Sequence, residues 1–71
     1  MEQKIKVEIH IDYIKLGALL KYAGAVETGG QGKELVTSGE VQVNGELCRM
    51  RGKKIRRGDR VQIGGKEIEV I

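Results

Sequence analysis

Asn44-Gly45 narrows the fold of this chain more than any other dipeptide in it. An Asn-Gly loop favours the mirror-image turn whose twist matches two paired strands, so the runs on either side are joined as an antiparallel hairpin. Val41 and Val43 alternate with Glu40 and Gln42 on one side, and Leu47 opens the partner strand on the other. Gly64-Gly65 repeats the device, with Val61 and Ile63 alternating before it and Ile68 and Val70 after it. Arg57-Gly58-Asp59 reads as a further turn between these units. The second half of the chain is therefore expected to be a small antiparallel sheet.

The first half follows a different period. Ile5, Val7 and Ile9 alternate with Lys4, Lys6, Glu8 and His10, which predicts one half-buried strand. Asp12 is placed to cap a helix starting near Tyr13. Leu16, Leu19, Leu20 and Ala23 then form one apolar stripe at helical spacing, with Lys15 and Lys21 off it and Tyr22 expected to pack along it. Gly24 stands where a left-handed residue ends a helix. Thr28-Gly29-Gly30-Gln31 has the form of a capping box and opens a second helix over about residues 29–38, with Gly39 as its stop. A helix this short and glycine-rich does not persist alone in water, so it must pack on the first helix and the sheet. The fold class expected is α+β: two short N-terminal helices on a small antiparallel sheet of four to five strands, in a single domain spanning 1–71.

Size excludes much else. The chain has 71 residues, and a domain of this length buries only about 60% of its unfolded surface. Two lobes closing on a substrate, or a dinucleotide fold, do not fit. Cys48 is the sole cysteine and His10 the sole histidine, so neither a disulfide nor a four-ligand zinc site can be built. No apolar run approaches the roughly 20 residues that span a bilayer, and the first residues hold no signal-peptide core. His10 points outward on its strand, Cys48 has no evident His partner, and the acidic residues show no paired spacing. The expectation is a soluble, cytoplasmic, non-catalytic protein without a cofactor, metal, membrane or small-molecule substrate.

The net charge of +3 conceals an asymmetry. Residues 1–48 hold five basic and seven acidic side chains, and residues 61–71 hold one and two. Between them, Arg49, Arg51, Lys53, Lys54, Arg56, Arg57 and Arg60 stand against Asp59 alone. Apparent strands flank this run and would hold it in place. A fixed basic stripe is the usual footprint of a polyanion partner; the alternative is a solvated, self-repelling loop.

Thr28-Gly29-Gly30-Gln31-Gly32-Lys33-Glu34-Leu35-Val36-Thr37-Ser38-Gly39-Glu40-Val41-Gln42-Val43-Asn44-Gly45 resembles the signature of the RNA-binding S-four domain, the αL-motif domain named for a small-subunit ribosomal protein. That pattern runs approximately Ser-Arg-x-x-Ala-Arg/Lys-x-Leu-Ile-x-x-Gly-x-Val-x-Val-Asn-Gly. This chain meets it at Lys33, Leu35, Gly39, Val41, Val43, Asn44 and Gly45, and conservatively at Thr28 and Val36. Lys15-Leu16-Gly17-Ala18-Leu19-Leu20 resembles the family's Arg-Leu-Asp-x-x-Leu helix opening, and Gly58-Asp59-Arg60-Val61 its Gly-Asp-x-Val step. The chain departs from the pattern at Gly29, where the family has Arg, and at Gly17, where it has Asp. The length is similar to that of short stand-alone bacterial members without a catalytic domain. The resemblance implies one RNA-facing surface made by the two helices and the adjacent hairpin, carrying Lys15, Lys33, Arg49, Arg51, Lys53 and Lys54. It implies structured RNA (rRNA or tRNA) as partner, on a ribosome-associated monomer serving assembly or translation quality control.

Elementary physics leads to the same surface. The second helix presents backbone N–H groups of Gly29, Gly30 and Gln31 at its positive end, where glycines admit a phosphate closely and Lys33 adds a charge. The same glycines also serve a tight turn between packed helices. Gly30-Gln31-Gly32-Lys33 is no nucleotide-binding loop, because Glu27 occupies the first glycine position and Glu34 the magnesium-binding hydroxyl position. With Tyr13 and Tyr22 the only aromatics, readout of shape and phosphate position is expected, including by Arg56 and Arg57, rather than base stacking. The competing reading is a protein adaptor whose basic stripe meets an acidic partner.

Overall fold

A computed structural model describes residues 3–71. Met1 and Glu2, the first two residues of the expected 1–71 domain, lie outside the described residues. The elements in chain order are β1 (Gln3–Val7), β2 (Ile14–Lys15), α1 (Leu16–Tyr22), α2 (Gly29–Thr37), β3 (Val41–Val43), β4 (Glu46–Leu47), β5 (Lys54–Ile55), β6 (Arg60–Ile63) and β7 (Lys66–Val70). Five strands form one sheet in the order β1-β7-β6-β3-β4, and β2 pairs with β5 in a separate two-stranded ladder. The α+β class and the two packed helices are as the sequence predicts.

Register explains why the alternation in the sequence works. Ile5 pairs with Ile68, Ile68 with Val61, and Val61 with Val43, so one apolar row crosses four strands on the inner face. The neighbouring outer row runs Lys4, Glu67, Gln62, Gln42 and Leu47. Against the inner face pack Leu16, Leu19 and Leu20 of α1 and Val36 of α2, all at 0% exposure, together with Ile55 of β5. Burying each such side chain contributes about 1.5–3 kcal/mol.

Both helices end as expected. Gly24 has φ +75° and Gly39 φ +82°, and each is followed by the double backbone closure of a Schellman motif. The N–H of Ala25 donates to Leu20 O at 2.9 Å and that of Gly24 to Lys21 O at 3.1 Å; Glu40 and Gly39 repeat this on Leu35 O and Val36 O. The β3–β4 turn has φ 52° at Asn44 and 84° at Gly45, both in the left-handed region that the mirror-image turn requires.

Three features differ from the sequence reading. The β1–β7 pair is parallel while the remaining pairs of the sheet are antiparallel. Alternation fixes which residues face the core but not the direction of the partner strand, and β1 pairs with the last strand rather than with a hairpin neighbour. Secondly, α1 begins at Leu16 with Lys15 as N-cap, not near Tyr13, and no side chain caps it. Ile14 and Lys15 are drawn into extended backbone by pairing with Ile55 and Lys54, a tertiary contact that overrides the local signal at Asp12. Thirdly, Tyr22 does not pack along its helix: it is 70% exposed.

Asn44 does more than turn the chain. Its Nδ2 donates to Asp59 Oδ1 at 3.1 Å, and its Oδ1 accepts from the Arg60 N–H at 2.9 Å. Asp59 Oδ2 accepts from the Arg56 N–H at 2.8 Å, so one side chain ties the hairpin to the turn before β6. Asn44→Gly keeps a backbone suited to positive φ and removes only these bonds. It is expected to lower stability by about 1–2 kcal/mol, read by urea denaturation as a lower midpoint at unchanged slope.

Candidate nucleic-acid interface

Helix α1 starts beneath the basic segment. Its first N–H groups are taken by that segment's backbone: Leu16 N donates to Lys53 O at 2.9 Å and Gly17 N to Arg51 O at 3.0 Å. The stem of Arg51 then lies across Gly17, where a Cβ would stand 2.6 Å from Arg51 Cγ. Lys15 sits opposite Lys54 in the β2–β5 ladder. An open concavity results, lined by Lys15, Lys21 and Arg51 with Gly17, Ala18, Gly29 and Gly52 between them.

Helix α2 enters this concavity by its start. Thr28 is the N-cap, and its Oγ1 accepts from Gln31 N at 3.1 Å. Gln31 reaches back one residue further than a capping box requires, its Oε1 accepting from Glu27 N at 2.9 Å. The Gln31 N–H is therefore spent on the cap, contrary to the expectation that it is free. The N–H groups of Gly29 and Gly30 have no acceptor among the described residues. Lys33 is exposed and lies four residues after Gly29, one turn along the same side of α2. Gly32 faces α1, with a Cβ position 3.4 Å from Val26 Cγ2 and 3.9 Å from Gly17 O.

The remaining predicted residues divide. Lys53 is exposed beside Arg51, and Lys54 Nζ stands 4.9 Å from the Tyr13 ring centroid, a cation–π contact. Arg49 is not part of the concavity. Its guanidinium lies against Gly39, with Nε and Nη2 each 3.2 Å from a Cβ position there, at the carbonyl end of α2 where a cation is favoured. That end is about 15 Å along the helix from Gly29. Arg57 Nη1 donates to Ile9 O at 3.0 Å and Ile11 O at 3.3 Å, so this side chain holds the segment after β1. Arg56 is exposed, with its backbone fixed by Asp59. Lys21 is the cation the sequence reading left out. The signal for it was present, since Lys15, Ala18 and Lys21 recur every three residues off the apolar stripe.

Charge sets the concavity apart. Among the described residues Arg60 is the one Lys or Arg side chain in an ion pair, 3.9 Å from Glu67 and 3.5 Å from Glu69 on the outer sheet face. Among the described residues the cations around α1 have no acidic neighbour within pairing distance, and Lys15 and Lys54 oppose each other directly, an arrangement that costs stability. A second concavity, between Gly39-Glu40 and the β6–β7 turn, sets Glu40 and Glu67 against Lys66 and has no such excess. His10 Nε2 is 3.4 Å from Glu8 Oε1, both exposed, and Cys48 is buried with Sγ 3.7 Å from Met50 O. Among the described residues no three His, Cys, Asp or Glu are grouped to hold a metal ion.

Steric interlock between Gly17 and Arg51 is open to measurement. An Ala for Gly exchange inside a helix normally stabilises by about 1 kcal/mol. Gly17→Ala is expected to gain nothing, because the new methyl displaces Arg51. In an Arg51→Ala background the same exchange recovers about 1 kcal/mol, read by chemical denaturation of the four proteins.

The S4 domain pattern matches residues 7–71, which includes both helices and every strand after β1. A relative from Bacillus subtilis (strain 168), named as a probable ribosome maturation protein RlbA, is 39% identical over 59 residues, covering 83% of this chain and 83% of that protein. The chain therefore belongs to the S4 domain family, the RNA-binding family that its own helix and hairpin motifs resemble.

Proposed function

We propose that this protein is a non-catalytic binder of structured RNA, rRNA or tRNA, that works in the cytoplasm in association with the ribosome, as a monomer and a single domain over 1–71. The relative's name, a ribosome maturation protein, supports ribosome assembly over other settings. No helix among the described residues is long and apolar enough to cross a membrane.

The observation that carries the reading is the gathering of Lys15, Lys21 and Arg51 around a glycine-lined floor with no carboxylate among the described residues to neutralise them. Lys53, Lys54 and Lys33, exposed but outside its lining, are assigned to the same RNA-facing surface. Glycine at 29 and 52, with nothing within 4 Å of a Cβ at either, keeps the floor low there, so a phosphate can approach backbone as well as side chains. The unpaired N–H groups of Gly29 and Gly30 add donors at the positive end of α2. Arg51 offers a forked, planar group to phosphate where the lysines offer point charges. Arg49, Arg56 and Arg57 are assigned lesser parts: the first is engaged at Gly39 and the last at the Ile9 and Ile11 carbonyls.

Binding of a folded rRNA fragment, followed by filter retention across a salt series, tests this. With about five phosphates neutralised, log K falls against log salt with a slope near −4 to −5. Replacing Arg51, Lys53 and Lys54 together with Ala flattens that slope by about two to three units. Lys33→Glu, which sets a carboxylate beside Gly29, abolishes retention. No retention of RNA by the unaltered protein at low salt, with capture of an acidic protein instead, replaces the RNA reading by the adaptor one.

The arginine at 57 behaves differently. Arg57→Ala leaves the salt slope within about half a unit but lowers stability by about 1–3 kcal/mol, because two backbone carbonyls lose a charged donor. The first is read by the same titration and the second by thermal unfolding.

A further inference from the structure

We propose that Tyr22 is a stacking platform for an unpaired base, so that the protein prefers RNA carrying a looped-out nucleotide to an uninterrupted duplex. This rests on the RNA-binding reading above and adds a specificity determinant to it.

Tyr22 is 70% exposed on a helix whose Leu16, Leu19 and Leu20 are fully buried. A ring of this size left in water has no role in the core, and its hydroxyl has no hydrogen-bond partner among the described residues. Its place is beside the cationic concavity. Ala18, one turn earlier, and Lys21, the preceding residue, both line that concavity, and the methyl of Ala18 raises no wall between the ring and the phosphate site. Beyond the ring the helix ends at Gly24, around which space is open, with nothing within 4 Å of a Cβ there.

The chain has no Phe and no Trp. Its other aromatic, Tyr13, is half-buried and has the Lys54 ammonium 4.9 Å from its centroid. Tyr22 is thus the aromatic whose face is free. In an A-form duplex each base is already stacked on its neighbours, and the deep groove keeps base edges from side chains. An aromatic face next to a phosphate site can be satisfied only by a base that has left the stack. A duplex with a bulge or loop supplies both a shaped backbone and that base.

The test uses two RNA hairpins, each closed by the same non-nucleotide linker so that no loop base is present, and identical in sequence except for one bulged adenine in the stem, titrated with the full chain. Unaltered protein is expected to bind the bulged hairpin more tightly. Tyr22→Ala loses about 5- to 150-fold on the bulged hairpin, the equivalent of about 1–3 kcal/mol, and changes less than twofold on the paired one. Tyr22→Phe keeps the preference, whereas Tyr22→Leu, apolar but without a π face, loses it. In a Tyr13→Phe background, where Tyr22 is the remaining fluorophore, tyrosine emission falls on adding the bulged hairpin and not the paired one. Equal affinity of the unaltered protein for both hairpins, or equal loss on both in Tyr22→Ala, refutes the stacking role and leaves RNA binding standing. Absence of binding to either hairpin at low salt overturns the RNA reading and this inference with it.

Discussion

Helix α1 starts without a cap of its own, and the structure around it is organised by how that deficit is met. A helix leaves its first N–H groups without internal partners, and here neither a side chain nor an acidic first turn supplies them. The carbonyls of Arg51 and Lys53 do so instead. These two backbone bonds fix the basic segment over the helix start, and pairing of Ile14 with Ile55 locks the same crossing from the other side. Ile55 is itself at 0% exposure, so the loop is anchored to the core as well as to the helix. A run of cations that would otherwise be a mobile, self-repelling loop is held as part of the fold.

That anchoring has an electrostatic consequence. Arg51 and Lys53 lend their carbonyls to the positive end of α1 while their side chains add positive charge to it, and Lys15 faces Lys54 across the ladder. Each of these arrangements opposes stability by a few tenths of a kcal/mol to about 1 kcal/mol. The core tolerates them, and no carboxylate relieves them among the described residues. The outer sheet face shows that the chain can neutralise a cation when required: Arg60 lies within reach of both Glu67 and Glu69. Charge is thus balanced on the face away from α1 and left unbalanced on the face that the helices and the basic loop share. Repulsion stored there would be relieved by a polyanion, which is the physical basis of the salt dependence proposed for binding.

The parts of this design legible in the sequence are those governed by short-range rules. Asn44-Gly45, the Gly24 and Gly39 helix stops and the Thr28 cap depend on neighbours within a few residues, and the strand faces followed from strict alternation. What sequence could not give depends on partners far along the chain. Asp12 carries a good local cap signal, yet α1 starts later because β5 claims Ile14 and Lys15, and a two-residue strand offers no alternation to detect. The seven cations of residues 49–60 look alike in sequence, but backbone geometry sends Arg51 to the concavity, Arg49 to the far end of α2 and Arg57 to the Ile9 and Ile11 carbonyls. Tyr22 was assigned to packing because a helical aromatic usually packs; the stripe of Leu16, Leu19 and Leu20 already fills the face available to α1.

Gly17 unites these threads. The family's pattern has Asp at this position, which at the start of a helix would satisfy N–H groups and favour the dipole. Gly17 has no side chain to supply either, and Arg51 takes up both the N–H and the space. The N–H of Gly17 goes to the Arg51 carbonyl, and the volume a side chain would need is filled by the Arg51 stem. A carboxylate there would stand against Arg51 and neutralise it. Glycine leaves the guanidinium unpaired on the rim of the concavity instead, beside Lys15 and Lys21. What reads in the sequence as a departure from the RNA-binding pattern is, in the structure, a free cation where that pattern has an acidic residue in the first turn of the helix.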